Sequence, residues 1–500
     1  MSKFILNDNY LEDLFSGKDP FVVAKEIEGI VYREHANRFT KEFNFKGQLY
    51  FIKYHNGVGW KEILKNFLQL KLPVISAEKE WVALRQLQTL GVSCPEPVAF
   101  ASKGKNPAGK NSFIITRSLK DTFSLEDFFF KSSSKLVLSP VKKRLLIEEV
   151  AHICRVIHSN GINHRDLYLC HFHIPKDLDI SRKKIALIDL HRAQIRNAVP
   201  DRWRVKDIGG LLHSAIGIDI TERDCYRFLK IYLNLSLREI MIKHKDFVVS
   251  SRKRAYSMYL DPLLKEIDLR NTEPVSKDSK YIKNNAVNKR WIIKKEYFDK
   301  TFQSILDDPD IFMSEGKVIK KEEGHFIVSL DLERFTIIIK KYQMKNIWHF
   351  VRKIFSDTRA NRAWLAAHWF NVIGINTITH IAVIERYNFL STSDSYLITK
   401  KQSGVRLDNL DSNKESLLLI ANKITAFFKK LKWIGFNHGD AKSSNFFFHD
   451  KKLFAFDLDI SRRRLLRKLN LYSVNKDIQR MIKSFEKNKR LTSLLLKRLK

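Results

Sequence analysis

The sequence is short of cysteine, of long apolar runs and of acidic residues. Its four cysteines form no Cys-x-x-Cys pair and no disulfide pattern, which argues against a disulfide-rich secreted domain and favours a reducing compartment. No uninterrupted apolar run approaches the roughly 20 residues that span a bilayer, and acidic residues from Asp8 onward interrupt the first apolar stretch. We therefore expect a cytoplasmic protein that is neither exported nor membrane-spanning, although it can sit on a membrane surface.

The shortage of acidic residues gives the chain a strong positive charge. Lysine and arginine number 90 against 55 aspartate and glutamate, a formal net charge of +35. This excess predicts an anionic partner, whether phosphate-bearing lipid, nucleic acid or an acidic protein. Because the charge is spread along the chain and not gathered into one basic arm, nucleic acid is the least favoured of the three.

An internal repeat organises the 500 residues. In both halves an apolar, β-favouring strand ends in a lysine, Lys53 in the first half and Lys340 in the second, and an amphipathic helix follows. The other matching stretches are 80–81 with 363–364, 112–116 with 395–399, 161–166 with 435–440, 188–190 with 456–458 and 206–208 with 476–478. The collinear order predicts two related α+β modules in tandem.

A polar, lysine-rich stretch separates the two halves. We place a linker at residues 271–299, between a first domain at 20–270 and a second at 300–500. Near the C-terminus, residues 461–500 carry 14 Lys or Arg against two acids. An apolar stripe of Ile478, Ile482 and Phe485 runs along this region, which favours a bundle-capping helix with a solvated basic face over a membrane-binding helix.

The repeated residues are those that phosphoryl transfer needs: a lysine for phosphates, carboxylates for magnesium and a base beside the attacking hydroxyl. In the first module we expect Lys53 to hold the nucleotide phosphates and Glu80 to orient it through an ion pair. Asp166 is the candidate base, Asp189 the candidate Mg²⁺ ligand, and Asp207 a structural support for the catalytic loop. This set predicts a kinase-like, bilobal α+β domain that uses ATP and Mg²⁺.

The second module repeats most of this set. Its candidates are Lys340 for the nucleotide, Asp440 as base, Asn445 for nucleotide and metal, Asp457 for metal and Asp477 as support. It lacks the helix glutamate, because Ala363 stands where the first module has Glu80. Without that acid we expect a less well placed Lys340, unless Lys341 or another acid compensates, so activity and pseudokinase decay both stay open.

One kinase feature is absent from both modules. No Gly-x-Gly-x-x-Gly precedes Lys53 or Lys340. We therefore expect an atypical kinase-like fold in which a different hairpin, with basic side chains such as Arg38, covers the phosphates.

The first module also resembles the lipopolysaccharide core heptose kinases of Gram-negative bacteria, over residues from about 29 to 215. The matching stretches are Tyr50-Phe-Ile-Lys53, Gly57-Val-Gly-Trp60, Ser112-Phe-Ile-Ile-Thr116, His164-Arg-Asp166, Cys170-His171-Phe172, Asp189-Leu-His-Arg192 and Arg202-Trp203. The resemblance implies ATP- and Mg²⁺-dependent phosphorylation of an inner-core heptose at the cytoplasmic face of the inner membrane. It also implies Asp166 as base, Lys53 as nucleotide lysine and Asp189 as metal carboxylate. The second module resembles the wider group of core kinases more faintly.

The resemblance also bears on His171 and on partners. His171 stands five residues after Asp166, where protein kinases have a magnesium-binding asparagine. We interpret it as a partner of the nucleotide phosphate or of the loop, with a packing histidine as the alternative. The implied partners are a lipopolysaccharide core or lipid-linked sugar, an anionic membrane surface and an acidic protein such as acyl carrier protein. A two-module pseudokinase scaffold, a kinase for another small molecule or protein, and a basic nucleic-acid-binding protein stay open as alternatives.

Overall fold

The chain divides into two compact units, residues 1–255 and 256–500. A computed structural model describes residues 2–35, 38–61, 63–64, 75–130, 139–177, 184–218, 220–322, 324–343, 357–388, 391–409, 414–463, 467–486 and 488–499. Each unit combines one large antiparallel sheet with a set of helices and short strands, which agrees with the α+β class expected from the sequence.

The large sheet of unit 1 has the order β1-β5-β6-β4-β3-β2 within the described residues. Its strands are β1 (Ser2–Leu6), β2 (Ile30–His35), β3 (Arg38–Phe45), β4 (Gln48–Asn56), β5 (Pro97–Lys103) and β6 (Asn111–Arg117). In β4 the two-residue period of a strand sends Tyr50, Ile52 and Tyr54 into the core and leaves Lys53 on the other face. β2 pairs with β3, and β3 pairs with β4, the strand that carries Lys53.

Helices make up most of the rest of unit 1. They are α1 (Glu12–Phe15), α2 (Pro20–Glu26), α3 (Glu78–Thr89), α4 (Leu125–Phe130), α5 (Pro140–Ser159), α6 (Asp201–Ser214), α7 (Glu222–Leu233), α8 (Leu237–Lys243) and α9 (Lys245–Ile267). α5 starts at a proline capped by Ser139, whose side chain accepts a hydrogen bond from the backbone N–H of Lys142. Its buried face, including Val150, Cys154 and Ile157, forms the core under the catalytic loop.

Short strands of unit 1 precede the candidate catalytic residues. They are β7 (Thr122–Ser124), β8 (Ile162–Asn163), β9 (Phe172–Pro175), β10 (Ala186–Leu187) and β11 (Gln194–Ile195). β8 precedes Asp166 and pairs with β11, and β10 precedes Asp189 and pairs with β9. Both candidate carboxylates therefore follow the end of a short, paired strand.

Unit 2 contains a seven-stranded sheet with the order β12-β13-β18-β19-β16-β15-β14 within the described residues. Its strands are β12 (Tyr281–Asn285), β13 (Lys289–Lys294), β14 (Lys317–Glu322), β15 (His325–Asp331), β16 (Thr336–Gln343), β18 (His380–Asn388) and β19 (Ser391–Lys400), with β17 (Asn376–Thr377), β20 (Val405–Arg406), β21 (Phe436–Asn437), β22 (Phe446–His449), β23 (Lys452–Ala455) and β24 (Arg462–Arg463) outside it. Its helices are α10 (Lys300–Asp307), α11 (Pro309–Glu315), α12 (Arg359–Val372), α13 (Lys414–Ile434), α14 (Arg467–Lys483) and α15 (Lys489–Leu499).

The segment expected as a linker, residues 271–299, differs from that expectation. β12 and β13 form a hairpin inside it, and β13 pairs with β18 of the large sheet. Trp291, Ile292 and Ile293 of β13 are buried, whereas Val287 in the turn is 95% exposed. The polar residues of this segment therefore lie in an edge strand and in a turn. The boundary between the two units lies earlier in the chain, within α9.

The basic C-terminal helices, α14 and α15, pack into the core of unit 2. Ile478 and Phe485 of the stripe noted above are buried, and Leu491 and Leu495 of α15 join the same core. The basic side chains that the structure describes on these two helices are exposed, namely Lys476, Arg480, Lys483, Lys489, Arg490, Lys497 and Arg498. Within the described residues, none of the helices has the length and apolar character needed to cross a bilayer.

Candidate active site

Lys53 in unit 1 lies between two carboxylates from different elements. Its Nζ donates hydrogen bonds to Oε1 of Glu80, in the first turn of α3, at 2.6 Å, and to Oδ1 of Asp189 at 2.9 Å. Burial by itself would lower the pKa of Lys53, but the two carboxylates outweigh burial and raise the pKa above its ordinary value. The lysine is therefore a permanent cation at the junction of the sheet and the helical part.

Asp189 is held from several sides in a left-handed conformation, with φ 61° and ψ 55°. His191 donates from Nδ1 to Asp189 Oδ1 at 2.8 Å. Burial would raise the pKa of Asp189, but the charge of Lys53 and the hydrogen bond from His191 hold it well below its usual range. An ionised carboxylate with fixed orientation is a suitable ligand for a hard cation.

The loop that carries Asp166 is fixed by Asp207, whose side chain is fully buried. The Asp207 carboxylate accepts hydrogen bonds from the backbone N–H of His164 at 2.7 Å and of Arg165 at 2.8 Å. Arg165 has a positive φ of 73°, and His164 contacts the carbonyl of Ile188 through Nε2 at 3.0 Å. The loop is thereby tied to the residue that precedes Asp189.

Asp166 contacts two side chains whose roles the sequence did not make plain. Arg192 donates from one guanidinium nitrogen to both carboxylate oxygens, at 2.9 and 3.1 Å. His171 donates from Nδ1 to the backbone carbonyl of Asp166 at 2.6 Å, and its Nε2 lies 3.7 Å from Oδ2 of Asp189. Arg192 was visible within the Asp-Leu-His-Arg stretch, but only the fold brings it to Asp166.

A cluster of cations surrounds the Trp203 ring next to this loop. Arg165, Arg196, Arg202 and Lys206 have their charged groups between 4.9 and 5.4 Å from the ring centroid. Within the described residues none of the four forms an ion pair with a carboxylate. Burial lowers the pKa of Lys206, and the charge of Arg165 lowers it further. We name these four cations the Trp203 cluster; it creates positive potential beside Asp166.

Unit 2 repeats the arrangement of lysine, aspartates and loop. Lys340 donates to Asp457, which has the same φ of 61° as Asp189. Asp477 is buried and accepts from the backbone N–H of His438 and of Gly439, each at 2.9 Å. Gly439 has φ 93°, so a glycine adopts in unit 2 the left-handed conformation that an arginine adopts in unit 1.

The candidate base of unit 2 has its own contacts. Asn445 donates from Nδ2 to the backbone carbonyl of Asp440 at 2.8 Å and to its carboxylate at 3.0 Å. Lys442 lies 3.0 Å from the same carboxylate. Sequence reasoning missed Lys442, although its position two residues after Asp440 was a usable signal.

The missing glutamate of unit 2 has no direct replacement in the described residues. Ala363 is buried in the core, and Lys341 pairs with Asp310 at 2.9 Å and with Asp394 at 3.2 Å. At the start of the same helix, Arg359 donates to Asp459 at 2.8 and 2.6 Å. Arg359 of this helix therefore pairs with the aspartate that lies two residues after Asp457, the candidate metal carboxylate.

A sheet lysine, an aspartate after a short strand, and a backbone-braced loop with a second aspartate together define a phosphotransferase of the protein-kinase-like class. The model of the lipopolysaccharide kinase (Kdo/WaaP) family matches residues 24–232 and 313–499. The chain belongs to this family, which confirms the family predicted from the sequence.

Individual relatives match about half of the chain and almost their own full length. The lipopolysaccharide core heptose(I) kinase WaaP of Escherichia coli is 43% identical over 244 residues, covering 48% of this chain and 92% of that protein. The protein of the same name from Pseudomonas aeruginosa is 41% identical over 248 residues, covering 49% and 92%. A solved structure described as WaaP in complex with acyl carrier protein is 35% identical, has a TM-score of 0.44, and covers 51% of this chain and 99% of its own.

Proposed function

We propose that unit 1 transfers the γ-phosphoryl group of ATP to a heptose hydroxyl of the lipopolysaccharide inner core. Membership of the lipopolysaccharide kinase family and the named heptose kinase relatives support this acceptor. The observation that carries the proposal is the meeting of Lys53, Glu80 and Asp189 within hydrogen-bonding distance, beside a loop that presents Asp166.

Each residue then has a defined task in the transfer. Lys53, oriented by Glu80, pairs with the nucleotide phosphates. Asp166 accepts the proton of the acceptor hydroxyl as the hydroxyl oxygen bonds to the γ-phosphorus, and the bond from that phosphorus to the bridging oxygen breaks to release ADP. Arg192 keeps the carboxylate of Asp166 in place through its contacts at 2.9 and 3.1 Å. Asp207 acts as a positioning residue through the loop backbone.

The residues also fit the Mg²⁺ that kinases use. Asp189 offers ionised carboxylate oxygens, which are the ligands that this cation prefers, and it lies beside the phosphate-binding lysine. Bound Mg²⁺ would supply charge neutralisation for the phosphates. Positioning and proton transfer remain tasks of Lys53 and Asp166.

The Trp203 cluster supports an anionic acceptor. Four cations without carboxylate partners in the described residues surround the Trp203 ring, and one of them, Arg165, directly precedes Asp166 in the chain. Carboxylates or phosphates on sugars next to the heptose would be attracted to them. The net charge of +35 further supports peripheral work at the anionic cytoplasmic face of the inner membrane, and an acidic partner such as acyl carrier protein.

Residues 256–500 form, in our proposal, a second kinase-like module. The contacts among Lys340, Asp457, Asp440, Asn445 and Lys442 support nucleotide binding there. The absence of a glutamate at position 363 argues that unit 2 transfers phosphate more slowly than unit 1, or serves as a scaffold without transfer.

The experiment is transfer of labelled phosphate from ATP to a heptose-containing core lipid that lacks phosphate. Asp166→Ala should reduce the rate by about 100-fold or more, since a general base contributes that much. Asp13→Asn, which alters a carboxylate that is 69% exposed, is the matched control and should leave the rate unchanged. Asp440→Ala separates the units: an unchanged rate assigns all transfer to unit 1. Full transfer by Asp166→Ala would contradict the proposal.

A further inference from the structure

His171 in unit 1 and Asn445 in unit 2 occupy the same place in the two modules. Each lies five residues after the candidate base, Asp166 or Asp440. Each also donates a side-chain N–H to the backbone carbonyl of that aspartate, at 2.6 Å from His171 and at 2.8 Å from Asn445. The chain therefore contains its own comparison between an imidazole and an amide at one structural position.

The hydrogen bond to the carbonyl fixes which nitrogen of His171 carries the proton. A carbonyl oxygen can only accept, so Nδ1 must be the donor, and in a neutral imidazole Nε2 then has a free lone pair. The ring is also held by stacking on the buried His164, with centroids 5.3 Å apart and planes 19° apart. A hydrogen bond from Nδ1 to a carbonyl is the usual device that orients a metal-binding histidine.

The free nitrogen faces Asp189. Nε2 of His171 lies 3.7 Å from Oδ2 of Asp189, which is too long for a hydrogen bond. Two ligands of one cation, each about 2.1 Å from it, lie roughly 3 to 4 Å apart. His191 leaves Oδ2 of Asp189 available, because its Nδ1 donates to the other carboxylate oxygen, Oδ1.

We propose that His171 Nε2 is a metal ligand beside Asp189, so that unit 1 holds its divalent cation through nitrogen and oxygen. Unit 2, with the amide of Asn445 at the same position, holds its cation through oxygen alone. Imidazole binds transition metals better than it binds Mg²⁺. Unit 1 should therefore favour Mn²⁺ over Mg²⁺ more strongly than unit 2 does. The inference rests on the proposed kinase function for the presence of a metal.

Pulsed electron paramagnetic resonance of bound Mn²⁺ tests the ligand without relying on activity. The full chain carrying Asp457→Ala, which removes the candidate metal carboxylate of unit 2, is loaded with Mn²⁺ and a methylene-bridged ATP analogue. We expect modulation from a directly bound ¹⁴N nucleus, and its replacement by a ¹⁵N signal when only histidine is ¹⁵N-labelled. His171→Asn should abolish this signal and reduce the preference for Mn²⁺ over Mg²⁺ by roughly 10-fold, the scale of a disturbed metal environment.

A gain-of-signal variant guards against misfolding of the loss variant. In the chain carrying Asp189→Ala, which leaves only the site of unit 2, Asn445→His should create the histidine signal that the parent lacks. Mn²⁺ bound in unit 1 without histidine coupling would overturn the inference and leave the kinase proposal intact. Failure of unit 1 to bind Mn²⁺ with the nucleotide analogue would overturn both.

Discussion

Two buried histidines should make unit 2 sensitive to mild acid. His368 is 8% exposed and lies between the carbonyl of Trp364 and the hydroxyl of Tyr281, each at 2.8 Å. His380 is 4% exposed and contacts the carbonyl of Ile378 at 2.9 Å. Burial lowers the pKa of His368 to about 4 and that of His380 to about 3.

The direction of the effect follows from these values. In the unfolded chain a histidine has a pKa of about 6.5. Below that pH the two histidines bind protons in the unfolded state but stay neutral in the folded state, which favours unfolding. Above pH 6.5 the two histidines do not reduce the free energy of unfolding. Below it the free energy of unfolding falls, until the pH reaches about 4 for His368 and about 3 for His380. At pH 5 each of the two histidines has lowered the free energy of unfolding by about 2 kcal/mol, because each pH unit below 6.5 corresponds to about 1.4 kcal/mol.

Urea denaturation followed by hydrogen exchange of peptides from α12 would measure this loss in unit 2. We expect His368 and His380 together to lower the free energy of unfolding by about 3 to 4 kcal/mol between pH 7 and pH 5. His380→Asn keeps a donor for the carbonyl of Ile378 and removes the titration, so it should make the fall smaller by about 2 kcal/mol. His449→Asn changes a histidine whose side chain is 35% exposed and is the control. Equal stability of the parent at the two pH values would refute the reasoning.

Three further results are expected in unit 1. Glu80→Gln removes the charge that orients Lys53 and should reduce kcat/KM for ATP by about 10-fold, or about 1.4 kcal/mol in the barrier; an unchanged value would contradict the ion-pair role. Arg202→Ala should raise KM for the core lipid and leave KM for ATP unchanged, and equal effects on both would argue against an acceptor site at the Trp203 cluster. Gly161→Ala should destabilise unit 1 by more than about 3 kcal/mol in thermal unfolding, since its Cβ would lie 1.7 Å from a backbone oxygen. Gly17→Ala is the control, because Gly17 has a similar φ but open space around its Cβ position, and it should lower the stability of unit 1 by only about 1 kcal/mol.

Two kinds of feature could be predicted from the sequence: those that depend on a local residue pattern, and those that recur in both halves of the chain. The internal repeat made Lys53, Asp166 and Asp189 recognisable, because equivalent residues occur in the same order in the second half. The strand that ends near Lys53 follows from a two-residue apolar period, and that pattern is local. The catalytic and metal roles of these residues stay predictions until variants are measured.

Features that depend on distant residues were not predictable. The hairpin of β12 and β13 looked like a linker because its polar residues lie at an edge and in a turn, and only pairing with β18, some 90 residues later, makes it part of the sheet. The contact between Arg192 and Asp166 likewise needs two separate loops to meet. The pair of Arg359 and Asp459 spans 100 residues. No local pattern encodes such contacts.

The left-handed residue before each candidate base has a consequence for selectivity. In unit 1 this residue is Arg165, which is held by Asp207 through its N–H and by Trp203 through its guanidinium. In unit 2 it is Gly439, which adopts a similar backbone without supplying a charge. Loop geometry and local charge are therefore separable at a single position. We expect Arg165→Gly to keep the backbone of the loop in unit 1 and to remove one positive charge beside Asp166, so it would test how that charge affects acceptor choice.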